Sequence, residues 1–430
     1  MTAAAKQPFS VMVKPVGARC NMKCSYCYYR QGGDNPDQLP LDDARVSPHM
    51  SDRVLEQFIR QYCEAAQGPE VSFVWHGGEP TLAGIGFFQR ALELQRRYLP
   101  DGWQCWNNLQ TNGVLLDDEW CAFLAASNFD VGLSIDGTAE LHDRYRRDLD
   151  GGGSYAAAAG AVARLQQHGI QPDLLCTVTS SAAGQALHAY RALRELGTGW
   201  IQFIPIVRRQ SGSITGQATA DSVSGTGYGD FLCAVFNEWL VNDLGRVNVQ
   251  LFAELASMRA GGQAGLCWLA PTCGRALIVE QDGGVYCCDH YVSEQYRLGD
   301  IADSHLGELA DSEIQQRFGL VKSAELPGEC RRCQWLSLCN GGCPKDRFAF
   351  SADGEPGMNH LCAGLRRFFG YAVPLIDELL SLTRQGYSSG YMMNALRQAA
   401  ASRWNGVSRN DPCICGSGRK AKNCCWSLRM

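Results

Sequence analysis

Three cysteines, Cys20, Cys24 and Cys27, stand in the stretch RCNMKCSYCYYR, one short of the four ligands that close a structural metal site. Such a trio can bind zinc with a distant fourth ligand. It can also hold a four-iron cluster with one iron left open for a substrate or cofactor, whereas clusters that only carry electrons usually take four thiolates. A second field lies downstream: Cys267, Cys273, Cys288, Cys330, Cys333, Cys339, Cys343 and Cys362. Eight thiols suffice for two fully ligated four-iron clusters or for two zinc-ribbon sites. A third group, Cys413, Cys415, Cys424 and Cys425 in PCICGSGRKAKNCC, suits tetrahedral zinc. That block is too short to bury a core of its own, so metal binding would supply its folding energy.

The chain has 430 residues, 21 of them cysteine, and a net charge of -5. The N-terminal MTAAAKQPFS has no apolar signal core and no run of about 18 apolar residues occurs, so a cytoplasmic protein without membrane segments is expected. Thiols stay reduced there, which favours metal ligation over disulfides. Interspersed charge gives no basic field of the kind a nucleic-acid binder shows. A hydrophobic fraction of 45% excludes extensive disorder. The other six cysteines, Cys63, Cys105, Cys121, Cys176, Cys233 and Cys287, mostly fall in apolar patterns and are expected in the core.

Positioning these thiols requires a scaffold. Six β-like stretches, 9–16, 71–78, 105–113, 130–137, 173–180 and 200–207, alternate with amphipathic segments. In SDRVLEQFIRQYCEAA, Ser51 is placed to cap a helix whose Val54, Phe58, Ile59 and Tyr62 share one face. Such alternation predicts parallel βαβ units, an α/β sheet or partial barrel with its chemistry at the strand C-termini. The cysteine trio follows the first strand at that end. Residues 208–230, rich in Gly, Ser and Thr, read as a loop or linker, and SRWNGVSRN before the last cysteine block reads as flexible. The expected division is a core at 1–207, a linker and helical connection at 208–260, a cysteine-rich domain with closing helices at 261–400 and a knuckle at 408–430.

The trio, with Tyr26 before its third cysteine, resembles the signature loop of the radical S-adenosylmethionine (SAM) superfamily. GGEP, from Gly77 and Gly78 to Glu79 and Pro80, is similar to the motif that receives the methionine amine, and Ser134 and Asp136 of SID resemble the segment that holds the ribose. The resemblance implies a partial (β/α)6 TIM-like barrel, SAM as cofactor and an open iron on Cys20, Cys24 and Cys27. CRRCQWLSLCNGGC resembles the SPASM domain. In that family Cys267, Cys273, Cys288 and Cys343 would hold one auxiliary four-iron cluster and Cys330, Cys333, Cys339 and Cys362 another, three clusters in all. The last block looks like the SEC-C zinc knuckle, which implies one zinc ion and a docking role toward an export chaperone.

QTNG, IQFIPIV, PTCGR and VYCCDHYV narrow the likeness, over about residues 9 to 390, to anaerobic sulfatase-maturating enzymes. These oxidise a cysteine or serine of an unfolded or nascent sulfatase to Cα-formylglycine, with electrons from a donor such as flavodoxin or ferredoxin. Asp289 matches the family's general base. Cys287 stands beside Cys288 where a non-ligating residue is usual, leaving two candidate ligands, although the spacing from Cys273 favours Cys288. His76 replaces the glutamine often found before GGEP. Two alternatives remain: a SPASM maturase of another peptide or ribosomal natural product, and a non-catalytic, metal-dependent binder of unfolded chains.

Overall fold

The computed structural model describes residues 5–29, 49–210 and 216–429. The chain divides into two compact units, the first built from Met1–Ile135, His142–Asp173 and Cys273–Val321, the second from Asp136–Leu141, Leu174–Thr272 and Lys322–Met430.

In the first unit, β1 (Ser10–Val13), β2 (Glu70–Trp75), β3 (Gln104–Thr111) and β4 (Phe129–Ser134) pair in parallel in chain order. The helix Asp52–Ala65 shows why the connections are helical. Ser51 Oγ accepts the Val54 N–H at 3.3 Å, and Val54, Leu55, Phe58, Ile59 and Tyr62 are buried on one face. That face meets the sheet through Phe73, whose ring lies edge-on to Phe58 and Tyr62 at 5.8 and 5.2 Å.

The second unit continues the alternation with β5 (Asp173–Val178), all but its first residue in this unit, then β6 (Trp200–Pro205) and β7 (Asn248–Val249), again parallel. The six strands expected from the sequence are thus all present. Next in the chain come β8 (Ala276–Val279), β9 (Gly284–Tyr286) and β10 (Arg297–Asp300), which belong to the first unit. There β8 lies parallel to β1, with Ile278 opposite Met12 and Val279 opposite Val13, while β8, β9 and β10 form an antiparallel meander.

Two expectations need correction. Of the stretch read as a loop, 211–215 lie outside the described residues, but its end is helical: Gly225–Asn242 is one helix, capped by Ser224 Oγ on the Gly227 N–H at 3.1 Å. Its glycines allow close approach rather than flexibility. A Cβ on Gly229 would sit 2.6 Å from Gly364 Cα, and one on Gly364 only 1.8 Å from the Gly225 carbonyl oxygen. Nor is SRWNGVSRN loose, because Trp404 is buried and meets Trp426 edge-on at 5.7 Å. Of the six cysteines expected in the core, five are buried and Cys105 is partly exposed. Among the described residues, no helix is long and apolar enough to cross a membrane.

Candidate active site and metal centres

β1 ends at Val13 and leads into the loop that carries Cys20, Cys24 and Cys27. The GGEP segment after β2 grips that loop by its backbone: the Gly78 N–H donates to the Gly17 carbonyl at 2.8 Å and the Glu79 N–H to the Arg19 carbonyl at 2.8 Å. A side chain cannot fit there, since a Cβ on Gly78 would lie 1.9 Å from the Arg19 oxygen. On its other side the loop donates from Lys23 N–H to Arg147 and from Ser25 N–H to Tyr145, at 2.7 and 3.0 Å. Asn112 of QTNG adds a bond to Asn21 at 2.8 Å. We therefore expect Gly78→Ala to fold but to lose iron from this loop and with it SAM cleavage. Metal analysis of anaerobically purified protein would check it, and full iron content would show that the clamp is not needed.

Burial pushes the Cys20 thiol up to about 12, helped by the Glu79 carboxylate and by Cys24 and Cys27. A buried thiol that resists ionising, with two more thiols crowded beside it, is what a multiply charged metal cluster compensates, so this donor set fits an iron–sulfur cluster. Glu79 is buried and accepts four bonds: from the Thr81 hydroxyl at 2.7 Å and its N–H at 3.2 Å, from the Thr111 hydroxyl at 2.8 Å and from the Asn112 N–H at 2.8 Å. Burial nevertheless raises its carboxyl above the ordinary range. Ser134 Oγ lies 3.2 Å from Gln110 Nε2. In the second unit, Asp136 is buried and accepts the Thr177 N–H at 2.8 Å.

Pairing of β8 with β1 brings Glu280 and Lys14 to adjacent strand ends, the Lys14 N–H donating to the Val279 carbonyl at 2.9 Å. The hairpin return then places Asp289 over them. Lys14 is fully buried, with its ammonium 2.6 Å from Asp289 Oδ1, 3.9 Å from Glu280 Oε1 and 3.5 Å from the centre of the Tyr29 ring. The Lys14–Asp289 contact is ionic, without hydrogen-bond alignment at either atom. The Tyr28 hydroxyl donates to Asp289 Oδ2, and the Tyr29 hydroxyl lies 2.7 Å from both oxygens of Glu280. Burial alone would raise the Asp289 carboxyl, but nearby cations hold it well below the usual range. Burial also lowers His76, and Lys14 is the largest of the cationic influences on the Asp289 carboxyl. Glu280 goes the other way, raised by burial despite Lys14. About a fifth of the Asp289 side chain stays exposed, within reach of a substrate.

Beside this site, Cys287 is fully buried, whereas Cys288 is partly exposed. Cys273 and Cys288 belong to the first unit, Cys267 and Cys343 to the second. Lys322, also fully buried, donates to the carbonyls of Cys267 at 2.7 Å, Trp268 at 3.0 Å and Ala270, fixing the loop that presents Cys267. Between Cys339 and Cys343, Asn340, Gly341 and Gly342 are all left-handed, with φ of 46°, 74° and 66°. Only Asn-Gly-Gly makes such a turn at low cost. Arg347 braces it by donating to the carbonyls of Asn340 at 2.8 Å and Gly341 at 3.0 Å. Cys330, Cys333, Cys339 and Cys362 together line one cavity, walled by Met358, Leu336 and Phe369. Four thiols around an apolar hollow fit a fully ligated cluster.

In the tail, the sulfurs of Cys413, Cys415, Cys424 and Cys425 all lie within 4.8 Å of one another and are buried. This spacing suits a tetrahedral ion with metal–sulfur bonds of about 2.3 Å.

Comparison with known proteins follows the same divisions. The radical SAM superfamily profile matches residues 15–182, the iron-sulfur cluster-binding (SPASM) domain 267–334 and the SEC-C motif 409–427. A serine-type anaerobic sulfatase-maturating enzyme of Bacteroides thetaiotaomicron is 38% identical, covering 92% of this chain and 96% of the relative. A cysteine-type enzyme of Clostridium perfringens is 34% identical, over 85% and 97%. The solved structure of native anSMEcpe with bound AdoMet and Kp18Cys peptide superposes with a TM-score of 0.78 at 32% identity, covering 87% of this chain and 99% of that one.

Proposed function

We propose that this chain, which belongs to the anaerobic sulfatase-maturating enzymes of the radical SAM superfamily, oxidises an active-site cysteine or serine of a sulfatase to Cα-formylglycine. The observation that carries the reading is the seat of Asp289, an ionised carboxylate next to a cluster cysteine and open to a substrate on one side. When bound, SAM and the clusters supply a 5′-deoxyadenosyl radical that removes a hydrogen atom from the substrate Cβ and an acceptor for the electron left behind.

The chain's own residues handle the proton. As the C=S or C=O bond forms, the thiol or hydroxyl must lose its hydrogen as H⁺, and a carboxylate within hydrogen-bond reach is the group that can take it. Asp289 Oδ1 is buried against Lys14 and Tyr28 donates to Oδ2, so the substrate proton would reach the carboxylate from the exposed part of the side chain. Lys14 keeps the carboxylate ionised until the proton arrives.

Cys20, Cys24 and Cys27 would hold the SAM-binding cluster, Gly77, Gly78 and Glu79 the methionine end, and Ser134 and Asp136 the ribose. Cys267, Cys273, Cys288 and Cys343, then Cys330, Cys333, Cys339 and Cys362, would hold two auxiliary clusters, and the tail cysteines one zinc. Spacing from Cys273 favours Cys288 over Cys287 as the ligand. The peptide bound by anSMEcpe supports a peptide segment as substrate, here read as part of an unfolded or nascent sulfatase, and the reaction calls for an electron donor such as a flavodoxin or ferredoxin. The test is anaerobic incubation of a Cys-x-Pro-x-Arg peptide and its serine counterpart with SAM and a reductant, followed by mass spectrometry. An aldehyde is expected in at least one of the two. If 5′-deoxyadenosine forms while both peptides stay unchanged, the substrate lies elsewhere.

A further inference from the structure

The SEC-C knuckle sits on the outer side of the walls that enclose the second four-cysteine cavity. The helix Cys362–Arg384 starts with one of the cavity's thiols, and Cys362, Arg366 and Phe369 line it. The residues between them turn to the knuckle. Arg367, buried, donates to the Cys424 carbonyl at 2.7 Å and to Cys425 Sγ at 3.3 Å, and it is paired with Asp230. One turn on, Gly370 lets the knuckle backbone touch the helix, since a Cβ there would lie 1.9 Å from the Cys415 carbonyl oxygen. The Tyr371 carbonyl then accepts from Arg403 at 2.6 Å, and the Tyr371 hydroxyl bonds Asn237 at 2.7 Å and the Leu428 carbonyl at 3.3 Å. A second wall, carrying Cys333 and Trp335, has Gln334 between them, whose Nε2 is 4.0 Å from where a Cβ on Gly416 would stand.

We propose that the knuckle is a clasp: metal bound to Cys413, Cys415, Cys424 and Cys425 holds the helix Cys362–Arg384 in place, and so holds Cys362 in register with Cys330, Cys333 and Cys339. Occupancy of the two metal sites is therefore linked, each favouring the other. The physical reason is that a four-thiol knuckle of about 13 residues has no core to keep it folded without its ion. Once it opens, the buried Arg367 guanidinium loses the sulfur and carbonyl that accept from it. Arg367 then keeps only its pairing with Asp230, and the helix face that packed on the knuckle at Gly370 and Tyr371 loses the contacts that hold it in place. This inference rests on the reading of the cavity as a cluster site. It assigns the tail a positioning role inside the second unit, in place of docking to an export chaperone.

The test uses full-length chain purified anaerobically, with zinc and iron counted per chain alongside SAM cleavage. Cys424→Ser should lose zinc together with about four irons, one cluster's worth, while SAM cleavage persists. Cys413→His, which keeps four ligands, should retain both metals. Gly370→Val replaces no ligand but pushes the Cys415 backbone away from the helix, so it should separate the contact from the metal, keeping zinc while losing the same iron. Full iron in zinc-free Cys424→Ser would overturn the proposal, as would equal iron loss in Cys413→His with its zinc in place. Loss of formylglycine alone, with zinc and iron both complete, would count against the clasp and leave the assignment of the reaction to be judged by the peptide assay.

Discussion

Asp289→Asn is expected to cleave SAM at close to the wild-type rate and to make about a hundredfold to ten-thousandfold less formylglycine per 5′-deoxyadenosine, the usual range for loss of a positioned base. That range corresponds to about 3 to 5 kcal/mol of barrier. The uncoupling follows from where the residue sits. Asp289 lies in the Lys14 pocket, and its carboxylate takes no part in the backbone bonds that hold the cysteine loop to Gly78, Glu79, Tyr145 and Arg147, touching the end of that loop only through Tyr28. Radical generation therefore does not need it, whereas the proton lost as the C=S or C=O bond forms is assigned to this carboxylate. An amide of the same size can still accept from Tyr28 at the position of Oδ2. It offers no negative charge opposite Lys14 and cannot take up a proton near neutral pH. Quantifying 5′-deoxyadenosine and aldehyde in the same anaerobic reaction decides the matter. Proportional loss of both products would place Asp289 in SAM binding instead, and an undiminished aldehyde yield would mean another base works.

Much of this site is legible in local sequence, because cysteine spacing and strand–loop–helix alternation are short-range signals. Cys20, Cys24 and Cys27 after an apolar strand, and Cys413 to Cys425 at the tail, can be picked out by eye. The partners of Asp289 cannot. Lys14 reads as the polar end of a strand, and only the pairing of β8 with β1, more than 260 residues apart in the chain, puts it beside Glu280 and Asp289. Glu280 carries no motif, and Tyr28 gives no sign that its hydroxyl points at a carboxylate. The glycines at 225 and 229 mislead for a related reason: glycine that permits backbone contact looks the same in sequence as glycine that loosens a chain. Gly364 and Gly370, which create the two close approaches, are only interpretable with their partners present. Cys287 and Cys288 form an intermediate case, in which spacing favours the second.

Lys14→Met should cost about 3 to 5 kcal/mol of stability, the typical price of removing one partner from a buried ion pair. Methionine fills the space of the lysine stem against Tyr29, so packing is largely kept. What goes is the cation that contacts both Asp289 and Glu280, leaving two buried carboxylates without it. The pH dependence then changes sign. With Lys14 present, the Asp289 carboxyl is held below its unfolded value of about 3.9, so its stabilisation is full above that pH and fades only as pH falls through the lowered value. Without Lys14, burial dominates and raises the carboxyl above its unfolded value, so the ionised form opposes folding at neutral pH and stability is recovered as pH falls toward protonation. Thermal unfolding measured between about pH 5 and 8 should be flat in the wild type as far as this group is concerned, and should improve toward the acid end in the variant. Adding Asp289→Asn to Lys14→Met removes the repulsion and should restore most of the stability while leaving aldehyde formation lost. If the double variant is no more stable than Lys14→Met, the lysine acts through its packing on Tyr29, and the charge it carries does not set the state of Asp289.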